Sequence, residues 1–167
     1  IGFAYRPVEN DRLNALFGYT FLYDLPGTDQ VNANGETDGP RQISHVLSAD
    51  GIWHANKYVS LGAKYGFRVG QVETDRDSGN FEESSAHLAI ARADLHVLKN
   101  CDALVEGRVL WSPSAETTDY GVLAAVYRHV GKNLKAGLGY NFGHFSDDLT
   151  DLTQDDQGAF LNVIGKF

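Results

Sequence analysis

The stretch RLNALFGYTFLYD, residues 12–24, decides the fold. Taken in steps of two, Leu13, Ala15, Phe17, Tyr19, Phe21 and Tyr23 form one side, and Asn14, Leu16, Gly18, Thr20, Leu22 and Asp24 the other. Alternation of this kind marks a β-strand, whose successive side chains point to opposite faces, whereas a helix repeats about every 3.6 residues. The run is also longer than the roughly 5–6 residues usual for strands of soluble sheets.

The same split recurs along the chain. In VSLGAKYGFRVG (59–70), Val59, Leu61, Ala63, Tyr65, Phe67 and Val69 oppose Ser60, Gly62, Lys64, Gly66, Arg68 and Gly70. In LKAGLGYNFG (134–143), Leu134, Ala136, Leu138, Tyr140 and Phe142 oppose Lys135, Gly137, Gly139, Asn141 and Gly143. HVLSADGIW (45–53), AHLAIARADLHV (86–97) and DALVEGRVLW (102–111) follow the rule, with Arg92, Asp94, His96, Glu106 and Arg108 on their polar sides. YGVLAAVYRHV (120–130) is apolar in both registers, so its facing stays open. The opening IGFAYRP (1–7) and the closing AFLNVIGKF (159–167) complete nine predicted strands.

Composition agrees. Eighteen Gly, eight Tyr, nine Phe and no Met suit a β protein better than a helix bundle. A net charge of −8 argues against a nucleic-acid partner bound through a basic surface. The single Cys101 excludes an internal disulfide framework and a cysteine-based metal site. No run approaches the roughly 18 apolar residues of a transmembrane helix, a test that is blind to membrane strands of about 9–11 residues.

The predicted connections alternate in length. Short ones fall around 8–11, 54–58, 98–102 and 130–133; long ones around 27–41, 73–85, 112–119 and 146–158. Acidic residues collect in or beside the long ones: Asp24, Asp29, Glu36 and Asp38, then Glu73, Asp75, Asp77, Glu82 and Glu83, then Glu116 and Asp119, then Asp147, Asp148, Asp151, Asp155 and Asp156, accompanied by Arg41 and Arg76. Short turns at one end and long loops at the other are the asymmetry of outer-membrane barrels. Tyr23, Trp53, Trp111 and Tyr140 near strand ends match aromatic girdles at membrane interfaces. A soluble β-sandwich or lipocalin-like ligand-binding barrel shares the alternation, but it would turn the apolar faces inward. Glycine beside Lys, Arg, Asp and Glu on the polar face suits a narrow enclosed lumen. The expectation is therefore an all-β, antiparallel up-and-down transmembrane β-barrel of about 8–10 strands. It is a single domain over 1–167, for which two readings stay open: residues 1–7 as a truncated strand and the whole as the C-terminal part of a larger barrel, or strands two to nine as a closed eight-stranded barrel behind a short leading segment.

The closing strand, with Leu161, Val163 and Phe167 at every second or fourth position and an aromatic last residue, resembles the C-terminal assembly signal of Gram-negative (proteobacterial) outer-membrane β-barrel proteins. Gly165 departs from the bulky residue usual at its position. The resemblance implies an outer-membrane location, recognition of the last strand by the barrel-assembly machinery, and contact with outer-membrane lipids and lipopolysaccharide. It also implies a role as membrane anchor or pore, joined to other domains or subunits of a larger surface protein.

Facing alone places Lys64, Arg68, Arg92, Asp94, His96, Glu106, Arg108, Lys135 and Lys166 in the lumen. Such charges must pair or stay hydrated, and Arg92 and Asp94 are expected to sit across from Glu106 and Arg108. A wide wet lumen with this cationic excess would favour anions. For a surface hydrolase, His144 lies near Ser146, Asp147 and Asp148, and His87 follows Ser84 and Ser85, but neither spacing defines a triad. Asp147, Asp148, Asp151, Asp155 and Asp156 form a weak calcium candidate without the spacing of a helical calcium loop. GKN at 131–133 lacks the surroundings of a phosphate-binding loop. No cofactor and no catalytic residue is expected.

Overall fold

The computed structural model describes residues 1–9, 12–23, 34, 40–75, 78–98, 100–131, 133–145, 147–149 and 157–165. Nine strands follow one another: β1 (Gly2–Tyr5), β2 (Leu13–Tyr23), β3 (Arg41–Asn56), β4 (Val59–Glu73), β5 (Phe81–Leu98), β6 (Cys101–Ser112), β7 (Thr117–Val130), β8 (Leu134–Asn141) and β9 (Gly158–Gly165), with a 3-10 turn at Pro113–Ala115. Each pairs antiparallel with the next, giving one sheet in the order β1 to β9. The protein is thus an all-β, up-and-down antiparallel meander. Among the described residues no pairing joins β9 to β1, so the sheet is open and has two edges. No helix is long and apolar enough to cross a membrane.

Several strands outrun the alternation that announces them. β3 begins at Arg41, β5 at Phe81 and β7 at Thr117. The connections expected at 73–85 and 112–119 shrink to 74–80 and 113–116. The reason is chemical: at Glu82, Glu83, Thr117 and Thr118 both faces are polar, so pairing continues where the apolar signal stops. The asymmetry of the two ends survives chiefly in 24–40 and 142–157, since 74–80 and 113–116 at that end are no longer than 6–12 at the other, where 57–58, 99–100 and 131–133 are short. At the first of the short turns, Asn56 Oδ1 accepts from the Tyr58 and Val59 amides at 2.8 and 3.0 Å, an Asx turn that reverses the chain in two residues.

Register carries each face across the sheet. Phe17 stands opposite Ala49, then Tyr65, Ala89, Val109 and Tyr120 in succession on β2 to β7. Further on, Val126 opposes Leu138, which opposes Leu161. This face is exposed: Leu138 keeps 64% of its surface, Tyr120 74% and Tyr65 50%. The buried residues belong to the opposite register, among them Leu22, Ser44, Val46, Leu88, Glu106, Arg108 and Tyr127. The sheet therefore has a predominantly apolar outer face and a mixed inner face, and β7, ambiguous in sequence, turns Gly121, Leu123, Ala125 and Tyr127 inward.

The segment after β8 folds back against that inner face. Phe145 and Leu149 join Leu22, Val46, Ala86, Leu88 and Ile90 in the one apolar cluster found among the described residues, with Leu110 at its margin. Gly66 makes the seat for Leu149, since a β-carbon there would lie 3.0 Å from Leu149 Cδ1. Farther along the same inner face Gly137 does the same for an aromatic ring: a β-carbon would fall inside the Tyr127 ring that crosses it from β7. Glycine on this face is thus the space into which neighbouring rings and the returning segment pack, the aromatic cover of strand glycines seen in curved sheets.

Candidate functional site

The inner face is layered from the short-turn end to the long-loop end. Nearest the short turns, Asp102, the second residue of β6, gathers three partners. Its Oδ1 meets His96 Nδ1 at 2.7 Å, and its Oδ2 meets His129 Nε2 at 2.8 Å and Lys135 Nζ at 2.6 Å. β5, β6, β7 and β8 each contribute one member, so the cluster ties four strands together. Lys135 also lies 4.7 Å from the centre of the Tyr127 ring, a cation–π contact. On β3 and β4, His54 Nδ1 and Ser60 Oγ are 2.8 Å apart.

One layer up, Arg92 pairs with Asp94 at 3.2 Å, and Arg108 with Glu106 at 2.5 Å. Arg92 does stand opposite Glu106 in the register, but Asp94 faces Leu104 and Arg108 faces Ile90, and the ion pairs run along each strand instead of across it. Residues two apart share a face about 7 Å apart, within reach of an arginine. Asp50 and Lys64 face each other on β3 and β4. Together with Gly62, Arg92, Glu106 and Asp147 they line a cavity of about 70 Å³, room for a few waters among polar walls.

The returning segment closes the next level. Lys64 Nζ donates to the Asp147 carbonyl at 2.5 Å, and Arg108 donates to the Phe145 carbonyl at 3.3 Å. Both cations thus fasten the backbone of a segment whose Phe145 and Leu149 side chains are buried below it. Arg68 lies in the same layer as Val46 and Ala86; it is half-buried, and its Nε has no hydrogen-bond partner among the described residues.

The structure brings Lys64, Glu106 and Arg108 around the returning segment and its cavity, Arg92 and Asp94 beside them, and His96 and Lys135 onto Asp102. Lys166 lies outside the described residues. Leu161 and Val163 sit on the outer side of β9, opposite Leu138 and Ala136, and are largely exposed; Phe167 is outside the described residues. Asp147 and Asp148 are exposed, whereas Asp151, Asp155 and Asp156 are outside the described residues. Among the described residues no group of three or more His, Cys, Asp or Glu is arranged to hold a metal ion. His87 points outward, bonded to the Tyr65 hydroxyl at 2.7 Å and stacked on Trp111, while Ser85 is bonded to Ser114. His144 meets Gln157 Nε2 at 2.8 Å, and Ser146 is outside the described residues. Cys101 opens β6 as a free, partly exposed thiol.

Sequence reasoning missed Asp102, His129, Phe145 and Leu149. Asp102 reads as a turn residue, yet it shares the even-numbered face with Glu106 and Arg108, a signal that was available. Phe145 and Leu149 lie outside any strand and carry no period to read. Comparison with protein-family models, with curated proteins and with solved structures finds no match for this chain.

Proposed function

We propose that this sheet is the lipid-facing wall of an integral outer-membrane β-barrel of a Gram-negative bacterium, serving as a membrane anchor. One observation carries the reading: the face left exposed is the apolar one. Phe17, Leu47, Leu61, Tyr65, Val105, Val122, Val126 and Leu138 all present large hydrophobic surface outward, while the ion pairs lie inside. A soluble barrel would bury these residues, because a contiguous apolar patch of more than a few hundred Å² is rare on a soluble monomer.

The dimensions agree. From Val59 to Val69 the outward side chains of β4 are uncharged, a rise of about 33 Å along the strand. At the ~40° tilt of membrane barrels this spans about 25 Å, the height of their apolar band. Aromatic residues mark both margins, Trp53 toward the short turns and Tyr23, Trp111 and Tyr140 toward the long loops. The edges that β1 and β9 present among the described residues must be paired within a membrane, by each other or by further strands. The exposed Leu161 and Val163 of β9 fit recognition by the barrel-assembly machinery. The acidic long loops fit contact with lipopolysaccharide through divalent ions.

An anchor is favoured over an open pore because Phe145, Leu149 and the Lys64 and Arg108 bonds fill the middle of the inner face. The test is refolding into detergent micelles followed by electrophoresis of boiled and unboiled samples. A heat-dependent shift with a β-type circular dichroism spectrum supports the reading. A chain that stays soluble without detergent and shows no shift refutes it.

A further inference from the structure

On the inner face, one step beyond the returning segment toward the long loops, three polar side chains share a patch. Arg68 follows Gly66, the seat of Leu149, along the inner side of β4. Ser44 stands diagonally across on β3, in register with Gly70, and its hydroxyl leans over that glycine, where a β-carbon would collide with it. Diagonal neighbours on one face lie roughly 7–8 Å apart, within reach of an arginine. Gln42 is the next inward residue of β3. Ser44 keeps 1% of its surface and Gln42 7%. Arg68 Nε, Ser44 Oγ and Gln42 Oε1 are buried, and none of the three has a hydrogen-bond partner among the described residues. The inner carboxylates are committed elsewhere. Asp50 faces Lys64, Asp94 holds Arg92, Glu106 holds Arg108, and Asp102 is shared by His96, His129 and Lys135. The residues directly across from Arg68 on its two neighbouring strands are Val46 and Ala86, both apolar. A guanidinium is always protonated, and holding such a charge partly out of water without a counter-charge is costly.

We propose that Arg68, Ser44 and Gln42 form a binding site for a small oxyanion of the phosphate type. The guanidinium supplies the counter-charge and a planar fork that grips two oxygens. The Ser44 hydroxyl donates to a third oxygen, and Gln42 Oε1 accepts from a hydroxyl on the anion, which hydrogen phosphate carries. The three groups thus match a ligand that is negative, rich in acceptors and also a donor. The site lies on the face turned away from the exposed apolar surface, so it holds whether or not that surface meets lipid.

The test is urea unfolding of the chain folded in maltoside micelles, with inorganic phosphate added at an ionic strength held constant with sodium chloride. Half-saturation at about 1 mM is expected, the strength of two or three charge-assisted hydrogen bonds. Raising phosphate from none to about 20 mM then lifts the folded-to-unfolded ratio of the unaltered chain about twentyfold. Arg68→Gln should erase that rise and, without phosphate, be as stable as the unaltered chain, because it removes a charge that has no counter-charge. Ser44→Ala should weaken phosphate binding about threefold, the loss of one hydrogen bond. Lys57→Gln removes a cation at the short turns, where it lies over the Tyr58 ring, and should keep the full rise. Four results overturn the site: an unaltered chain indifferent to phosphate, a rise that survives Arg68→Gln, a rise untouched by Ser44→Ala, or an Arg68→Gln chain that is destabilised without phosphate. The last would show Arg68 paired with a carboxylate of the chain itself.

Discussion

Replacing Phe145 with alanine should release the segment that closes the inner face while leaving the sheet standing. Phe145 keeps 9% of its surface and packs with Leu22, Val46, Leu88 and Ile90, and its carbonyl accepts from Arg108 at 3.3 Å. Truncating a buried phenylalanine costs about 3–5 kcal/mol. Here the loss falls on a short segment outside the strand ladder, held otherwise by Leu149 and by the Lys64 and Arg108 bonds to its backbone, which the substitution keeps. It should therefore appear as local opening and not as global unfolding. A loss of about 3 kcal/mol corresponds to roughly a hundredfold rise in the population of the open form. Hydrogen exchange with mass spectrometry in micelles reads this directly. Peptides covering 142–149 should exchange about a hundredfold faster, while those of β3 to β6 keep their protection. The outward Phe142, 53% exposed, is the control, and Phe142→Ala should leave exchange of the segment unchanged. Unaltered exchange in Phe145→Ala, or equal loss of protection throughout the sheet, would refute the argument that Phe145 fastens a separable plug.

Other substitutions probe the sheet itself. Gly137→Val drives a side chain into the Tyr127 ring and should destabilise by about 1–3 kcal/mol in urea unfolding, whereas Gly107→Ala, with open space beyond its α-carbon, should be neutral. Asp102→Asn strips the shared partner from His96, His129 and Lys135. Breaking a fully buried pair costs about 3–5 kcal/mol, but these partners are part-exposed, so about 1–2 kcal/mol is expected after solvent screening; a double-mutant cycle with Lys135→Met should recover part of it. Ala91→Arg puts a cation in the middle of the outer face, opposite Ala63 and Gly107, and should lower stability in vesicles by about 2–4 kcal/mol.

The facing of most strands was legible because burial acts on every second residue. Phe17, Tyr65 and Leu138 announce the outer face, and Lys64, Arg92 and Glu106 the inner one, from alternation alone. β7 was not, since Val122 and Leu123 are both apolar and only register with β6 and β8 assigns them to opposite sides. Strand ends were misjudged at Glu82, Glu83, Thr117 and Thr118, where hydrogen bonding between strands outlasts the change of solvent contact that writes the pattern. The partners of the inner charges needed geometry. Arg108 reaches Glu106 on its own strand, and Lys64 reaches a backbone carbonyl 83 residues away, choices that no spacing encodes.

The most direct test of the lipid-facing outer surface uses the two tryptophans the chain carries, Trp53 and Trp111. Both sit on the outer face about half exposed, one toward each end of the strands. With the protein in vesicles of lipids brominated at defined depths along the acyl chain, single-tryptophan variants Trp53→Phe and Trp111→Phe report each position separately. The account predicts quenching of both, strongest with bromines nearest the headgroups. Emission from both that is indifferent to brominated lipid would contradict it.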